Sequence, residues 1–254
     1  MHFKLLIAAC GIFATMLLTG CGGDEGKPIV EVIEDSHPNG NKRAVIAYQG
    51  RRDNVVRRSF FGPGGNMMSD QHFKNGKPHG ERTVYFPDGT INQQTFFQDS
   101  VRHGADKSWF QGGQLRSEAE FVEGVPVGKF INYFEDGKMS LEVFYKDGRK
   151  HGEETEYHSN GNKKQVRNFV NGSMDGLEQI FFENGKIKSE HMYTAGTLNG
   201  PFTFYDARTG KKVEDGTYVN GQYHGKRTMY DANSGRRRSE ATYENGVRTF
   251  GEFF

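Results

Sequence analysis

The 254-residue chain is predicted to be all-β: an elongated antiparallel meander of β-hairpins that forms a single twisted repeat sheet. Three observations predict this. A Gly, often preceded by His, recurs at Gly80, Gly104, Gly128, Gly152, Gly176 and Gly200, every 24 residues, and two longer steps follow to Gly225 and Gly251. Aromatic residues keep two places relative to that anchor. Five positions on stand Phe61, Tyr85, Trp109, Tyr133, Tyr157, Phe181, Tyr205 and Tyr230, with Val56 in the first anchor place. Further on stand Phe73, Phe97, Phe121, Tyr145, Phe169, Tyr193, Tyr218 and Tyr243. Finally, Asn-Gly and Asp-Gly pairs separate short runs rich in Thr, Val and rings. Both central residues of a type I′ turn need φ > 0, which Asn, Asp and Gly tolerate, so Asn75-Gly76 and Asp88-Gly89 read as such turns. A helix would not accept glycine this often.

The segments follow in order. "MHFKLLIAACGIFATMLLTGC" opens with Lys4 and an apolar run, Leu5 to Leu18, too short to cross a bilayer as a permanent helix. Its end, Leu18-Thr19-Gly20-Cys21, resembles the lipobox of bacterial lipoproteins. That resemblance implies cleavage between Gly20 and Cys21 and a diacylglycerol on the Cys21 sulfur. Residues 1–20 are then a signal peptide and 21–38 a lipidated acidic tether, within which "PIVEVIED" reads alternatively as a first edge strand. Residues 39–55 form an N-terminal capping unit, and 56–254 an array of about eight repeats. A lone hairpin cannot bury its own face, so the hairpins must stack. Both aromatic places repeat in register and are expected to line one face, as a structural ladder and candidate binding groove. The anchor Gly is expected within a strand, where the missing Cβ lets a ring lie on the backbone.

Composition narrows the function. Hydrophobic residues make up 34%, low for one globular core of this length, while 34 Gly and 13% aromatic residues suit many short strands and turns. The formal net charge of +1 gives no basis for a nucleic-acid groove. Arg51/Arg52, Arg57/Arg58 and Arg236 to Arg238 read as solvated faces. Of the two cysteines, Cys10 leaves with the leader and Cys21 carries the lipid, so no disulfide is expected.

Two stretches state the repeat most fully: "FKNGKPHGERTVYFPDG" from Phe73 and "YKDGRKHGEETEYHSNG" from Tyr145. The pattern F-x-x-G-x-x-x-G-x-x-x-x-(Y/F/W)-x-x-x-G resembles the MORN repeat over roughly residues 55–250. It is most similar to the bacterial variant of the YwqK-family antitoxin repeat proteins. It departs at the slot two residues after the anchor, where Arg82, Asp106, Phe130 and Glu154 replace a further Gly. The Gly that favours the place before the second ring is present only as Gly216. The resemblance implies an extended β-meander that binds or dimerises and does not catalyse.

No catalytic, cofactor or metal residues are assigned. His79, His103, His151 and His224 precede anchor glycines, but equivalent places in successive hairpins lie about 10 Å apart, so three cannot converge on one zinc ion. There is no G-x-S-x-G and no H-E-x-x-H, and "GPGG" at 62–65 reads as a turn. The expected function is that of a membrane-anchored lipoprotein acting as a protein-interaction scaffold of the bacterial envelope. One alternative is an antitoxin or immunity-type protein that neutralises a toxin by binding. Another is glycan or peptidoglycan binding through an aromatic groove, with Trp109 as its probe. The expected partners are the membrane, through Cys21, and a protein; a homodimer is compatible and nucleic acid is not expected. Gly22 after the lipidated Cys points to the outer membrane or cell surface rather than the inner membrane.

Overall fold

The computed structural model describes residues 16–17 and 27–254, and every regular element among them is a β-strand. Gly20 and Cys21, with the expected cleavage and lipidation, lie outside the described residues, as does the leader apart from Met16 and Leu17. The chain divides into two compact units, Met1–Gly113 and Gln114–Phe254.

The first unit contains β1 (Met16–Leu17), β2 (Ile29–Ser36), β3 (Lys42–Gln49), β4 (Val55–Phe61), β5 (Met67–Lys74), β6 (Lys77–Tyr85), β7 (Ile91–Gln98) and β8 (Val101–Trp109). Each strand pairs antiparallel with the next. The second unit begins with β9 (Leu115–Val122), β10 (Val125–Tyr133), β11 (Met139–Lys146), β12 (Arg149–Tyr157) and β13 (Lys163–Val170). It continues with β14 (Ser173–Met174), β15 (Gly176–Phe181), β16 (Ile187–Thr194), β17 (Thr197–Tyr205) and β18 (Lys212–Val219). It closes with β19 (Gln222–Tyr223), β20 (Gly225–Tyr230), β21 (Arg237–Glu244) and β22 (Val247–Phe253). This unit too is a sequential meander. β14 with β15, and β19 with β20, each act as one strand interrupted at a bulge, since both members pair with the same predecessor.

One N-terminal segment differs from expectation. Ile29–Ser36 is a strand, paired along β3 and at Ile29 and Val30 with β1, so a strand replaces the tether there. Its β-branched residues suit a pleated surface. β3, within residues 39–55, is a regular strand, with Ala44, Val45, Ile46 and Ala47 all buried.

The turns at the two ends of each hairpin are of different kinds. Asn75 (φ 52°) and Gly76 (φ 74°) are both left-handed, as type I′ demands. Ser100 holds the same conformation without being Gly (φ 77°). The Asp88-Gly89 turn is not of this type. The Gly89 N–H donates to Phe86 O (2.9 Å), the Phe86 N–H donates to Thr90 O (2.8 Å), and only Gly89 is left-handed. That is a type I turn closed by a glycine bulge.

This bulge decides which way the rings point. Tyr85 pairs with Ile91, but Val84 pairs with Gln93, so the register slips by one residue. A one-residue slip sends every later side chain to the opposite face. Tyr85 therefore shares a face with Thr83, and Phe97 lies on the other face with Thr95. The same slip recurs at Tyr133, Tyr157, Phe181, Tyr205 and Tyr230. The expected single ladder is thus two ladders. In the first unit we call "back" the face with Phe61, Tyr85 and Trp109 and "front" the face with Phe73 and Phe97. In the second unit we call "back" the face with Tyr133, Tyr157, Phe181, Tyr205 and Tyr230 and "front" the face with Phe121, Tyr145, Phe169, Tyr193, Tyr218 and Tyr243.

The anchor glycines lie in or beside strands as expected, for a different reason. Gly80, Gly104, Gly128, Gly152, Gly176, Gly200 and Gly225 all have φ between 66° and 128°. They sit in bulges: Gln71 pairs with Arg82 and Phe73 with Pro78, leaving His79, Gly80 and Glu81 opposite His72 alone. A Cβ built on Gly128, Gly152 or Gly225 meets nothing within 4 Å, so the backbone angle, not a ring, demands glycine there. Gly251 does not belong to the series. Its φ is outside the left-handed region, and Phe250 stands four residues after Gly246, as Gly80 does after Gly76. Ring-on-backbone packing occurs instead at Gly216, where a Cβ would lie 2.7 Å from Phe202 Cε1.

Within each unit, hydrogen bonds join repeat to repeat along both edges of the sheet. On the edge with the type I′ turns, turn N–H groups donate to the neighbouring hairpin: Ser100 to Pro78 O (2.7 Å), Gly172 to Lys150 O (2.8 Å) and Gly196 to Met174 O (2.7 Å). On the other edge, side chains of one turn reach carbonyls of the next. Asn41 Nδ2 donates to Pro63 O (2.8 Å), and Asn160 and Asn162 both donate to Glu183 O (2.7 Å each). These bonds satisfy turn carbonyls that the ladder cannot reach.

Candidate interaction surfaces

The back face of the second unit joins tyrosines to carboxylates. Cross-strand pairing places Glu118 beside Ile131, Glu190 beside Thr203 and Asp215 beside Thr228. Two residues further along each second strand, a tyrosine reaches back. The Tyr133 hydroxyl donates to Glu118 Oε1 (2.7 Å), Tyr205 to Glu190 Oε2 (2.8 Å) and Tyr230 to Asp215 Oδ2 (3.2 Å). Burial, then the Glu118 carboxylate that holds its proton, pushes Tyr133 up to about 12. Tyr205 is raised for the same reasons, with Glu190 as its acceptor. These contacts fix the rings, and most of the charge is balanced locally: Lys129 meets Glu142 (2.5 Å) and Lys226 meets Glu240 (2.7 Å).

The front face of the second unit holds most of its buried side chains. Val143 and Phe202 are 1% exposed and Phe169 is 8% exposed. Between them lies an ionic cluster that the sequence did not announce. Glu154 is sealed in, with Arg167 Nη2 2.6 Å from its Oε1 and Lys150 on its other oxygen. A buried carboxylate needs such partners, because water no longer solvates it. One repeat on, Glu178 accepts from Gln165 Nε2 (2.6 Å) and stands 3.3 Å from His191 Nδ1. Burial works to raise Glu178, but the His191 and Gln165 hydrogen bonds outweigh it and hold the carboxyl below its usual range. His79 Nδ1 lies 3.4 Å from Asp99 Oδ1. Among the described residues no group of three His, Cys, Asp or Glu side chains is placed to hold a metal ion.

Toward the C-terminal end of the front face the rings gather. Tyr218 stacks on Tyr223 (4.8 Å, 23°), Phe202 packs on Tyr218 (4.7 Å), and Tyr223 meets Tyr243 (5.3 Å). The Arg227 guanidinium lies 4.8 Å over the Tyr223 ring and donates through Nε to Glu214 Oε1 (2.8 Å). Burial and the Tyr223 contact raise Tyr218 well above the ordinary tyrosine range. Rings used on one another in this way stabilise the sheet. Of the expected ladder residues, the structure brings together Tyr218 and Tyr243 here, joined by Phe202 and Tyr223, which lie outside both sequence places.

Large apolar side chains also remain exposed in mid-strand. Phe96 and Phe144 project from the back face and Phe60 from the front, with exposures of 37%, 41% and 43%. Lys129 Nζ lies 5.4 Å from the centre of the Phe144 ring, a cation–π contact that leaves part of the ring open.

Comparison with known proteins agrees with the repeat unit. The family described as MORN repeat variant matches residues 78–99, 126–147, 150–171 and 174–195. Each match begins two residues before an anchor glycine and covers two strands with the glycine-bulge turn between them. A solved structure titled as a porin-like protein from Bacteroides uniformis ATCC 8492 aligns over 84% of this chain and 89% of that chain. Its identity is 10% and its TM-score 0.20, so it carries no argument. No curated protein matches the chain. The four matched segments, all in the shared register, are MORN repeats of the variant type.

Proposed function

We propose that the chain is a non-enzymatic interaction scaffold of the bacterial envelope, held to a membrane by lipid on Cys21. The observation that carries the binding role lies on the back face of the second unit, where Phe144, Val170 and Leu177 remain exposed on strands β11, β13 and β15. Apolar side chains grouped on one face in this way favour a protein partner. The anchor rests on the Leu18-Thr19-Gly20-Cys21 sequence and Lys4 before it. Two or three acyl chains, at about 0.8 kcal/mol per buried CH₂, hold a protein on a membrane durably.

Both parts are tested in cells. A photo-crosslinking amino acid at Phe144 should yield a defined adduct, which Leu177→Asp weakens. Absence of any adduct at positions 144, 170 and 177 refutes the scaffold. Cys21→Ser should release the protein from carbonate-washed membranes, and retention refutes the lipid anchor. Narrower partner classes, a neutralised toxin or a cell-wall glycan, separate by the identity of the adduct.

A further inference from the structure

Phe202 and Gly216 pair across β17 and β18, and the Phe202 ring fills the space above Gly216. One repeat later the same two places hold Arg227 and Ala241, also paired. Neither supplies a ring. A cavity of about 180 Å³ opens there, lined by Arg227, Met229, Ser239, Tyr243, Arg248 and Phe253, with Ala241 and Glu240 completing it.

The lining is asymmetric. Arg227, Tyr243 and Arg248 gather at one side, because Tyr243 pairs with Arg248 and Arg227 Nη1 stands 3.4 Å from the Tyr243 hydroxyl. Met229, Ser239 and Phe253 line the other, since Met229 pairs with Ser239 and Ser239 with Phe253. Arg227 is neutralised by Glu214 (2.8 Å). Glu240 is neutralised by Lys226 (2.7 Å) and approached by Arg237 (3.7 Å), so its carboxylate does not oppose an incoming anion. Arg248 has no ion pair among the described residues; its nearest polar contact is Nε to Phe250 O at 3.5 Å. The Arg248 guanidinium lies across Gly251, where a Cβ would collide with it. Gly251 has no left-handed φ to require glycine, so the seat of the guanidinium is the contact its missing side chain permits.

We propose that this cavity binds a monocarboxylate with an apolar body about the size of one side chain. The carboxylate docks on Arg248 with help from the Tyr243 hydroxyl, and the apolar body lies along Met229 and Phe253. Guanidinium donates two parallel hydrogen bonds to a carboxylate, which lysine does not reproduce. The ligand is a free acid or the C-terminal residue of a peptide, since both present the same groups.

The test titrates the whole protein with 3-phenylpropionate by calorimetry, alongside 3-phenylpropionamide. The acid should bind and the amide should bind at least tenfold more weakly. Arg248→Gln should weaken the acid at least tenfold, Gly251→Ala should weaken it measurably, and Arg51→Gln, at an exposed residue of the first unit, should leave it unchanged. Equal binding of acid and amide, or unchanged binding by Arg248→Gln, overturns the proposal. So does the absence of binding by both the acid and a tripeptide ending in Phe. Tighter binding of that tripeptide than of the free acid, lost on C-terminal amidation, identifies a peptide terminus; the reverse order identifies a free acid. The site is independent of the scaffold role: loss of the Phe144 adduct does not touch it.

Discussion

Gly152 separates two explanations of the anchor glycines. If the missing Cβ makes room for the Phe169 ring paired opposite, any side chain is harmful and a larger one is worse. If the φ of 82° demands glycine, the harm follows the backbone instead. A Cβ on Gly152 meets nothing within 4 Å, which favours the second account. Left-handed conformation costs an L-residue roughly 1–2 kcal/mol, and Asn tolerates it better than Ala. Gly152→Ala should therefore destabilise by about 1–2 kcal/mol and Gly152→Asn by clearly less. Gly200→Ala should exceed both, since its φ of 128° is joined by a Cβ only 2.8 Å from Met192 Cβ. Gly216→Ala acts differently: the backbone accepts it, but its Cβ would press on Phe202 and overpack the core by roughly 1–3 kcal/mol. Phe202→Leu should rescue part of Gly216→Ala in a double-mutant cycle, whereas Phe169→Leu should not rescue Gly152→Ala. Urea unfolding followed by far-ultraviolet circular dichroism reads all of these. The account fails if Asn at position 152 costs as much as Ala, or if Phe169→Leu rescues it.

Three further outcomes follow from the same geometry. Ser100→Gly should stabilise the chain by about 1 kcal/mol, because Ser100 is held at φ 77°, and the urea midpoint should rise. Glu178→Gln should destabilise at neutral pH. The folded carboxyl is depressed, so its contribution is present above the unfolded value and lost as pH falls through the folded one; wild type and variant should converge in acid when urea midpoints are compared. Tyr133, pushed up to about 12, contributes stability below the ordinary tyrosine range that is lost as pH rises toward that value. Tyr133→Phe should remove one tyrosine from the late phase of an absorbance titration at alkaline pH.

What was legible in the sequence was local. Asn75-Gly76 encodes its own turn, and the 24-residue spacing follows from hairpins of equal length. What was not legible was parity. Tyr85 and Phe97 are an even number of residues apart, and only the slip at Ile91–Gln93 sends them to opposite faces. A signal existed in Pro87: proline fixes φ near −65°, so Pro87-Asp88-Gly89 specifies a type I turn rather than type I′. Glu154 was illegible for another reason. Its burial depends on Arg167 in the next strand and on the packing of Val143, which no single repeat contains.

The two-ladder arrangement changes what a partner of the second unit can read. A ligand on one face meets rings every second strand, about 10 Å apart, and never meets the other set. On the back face the phenol groups of Tyr133, Tyr205 and Tyr230 already donate to carboxylates, so a partner there competes with an internal acceptor. On the front face Phe202, Tyr218 and Tyr223 are spent on one another, and an opening lies beside them at Arg227 and Tyr243. The proposed recognition therefore rests on side chains that neither ladder engages. The ladders supply the register, and Arg248 over Gly251, with no ion pair among the described residues, supplies the chemistry that the proposed ligand would distinguish.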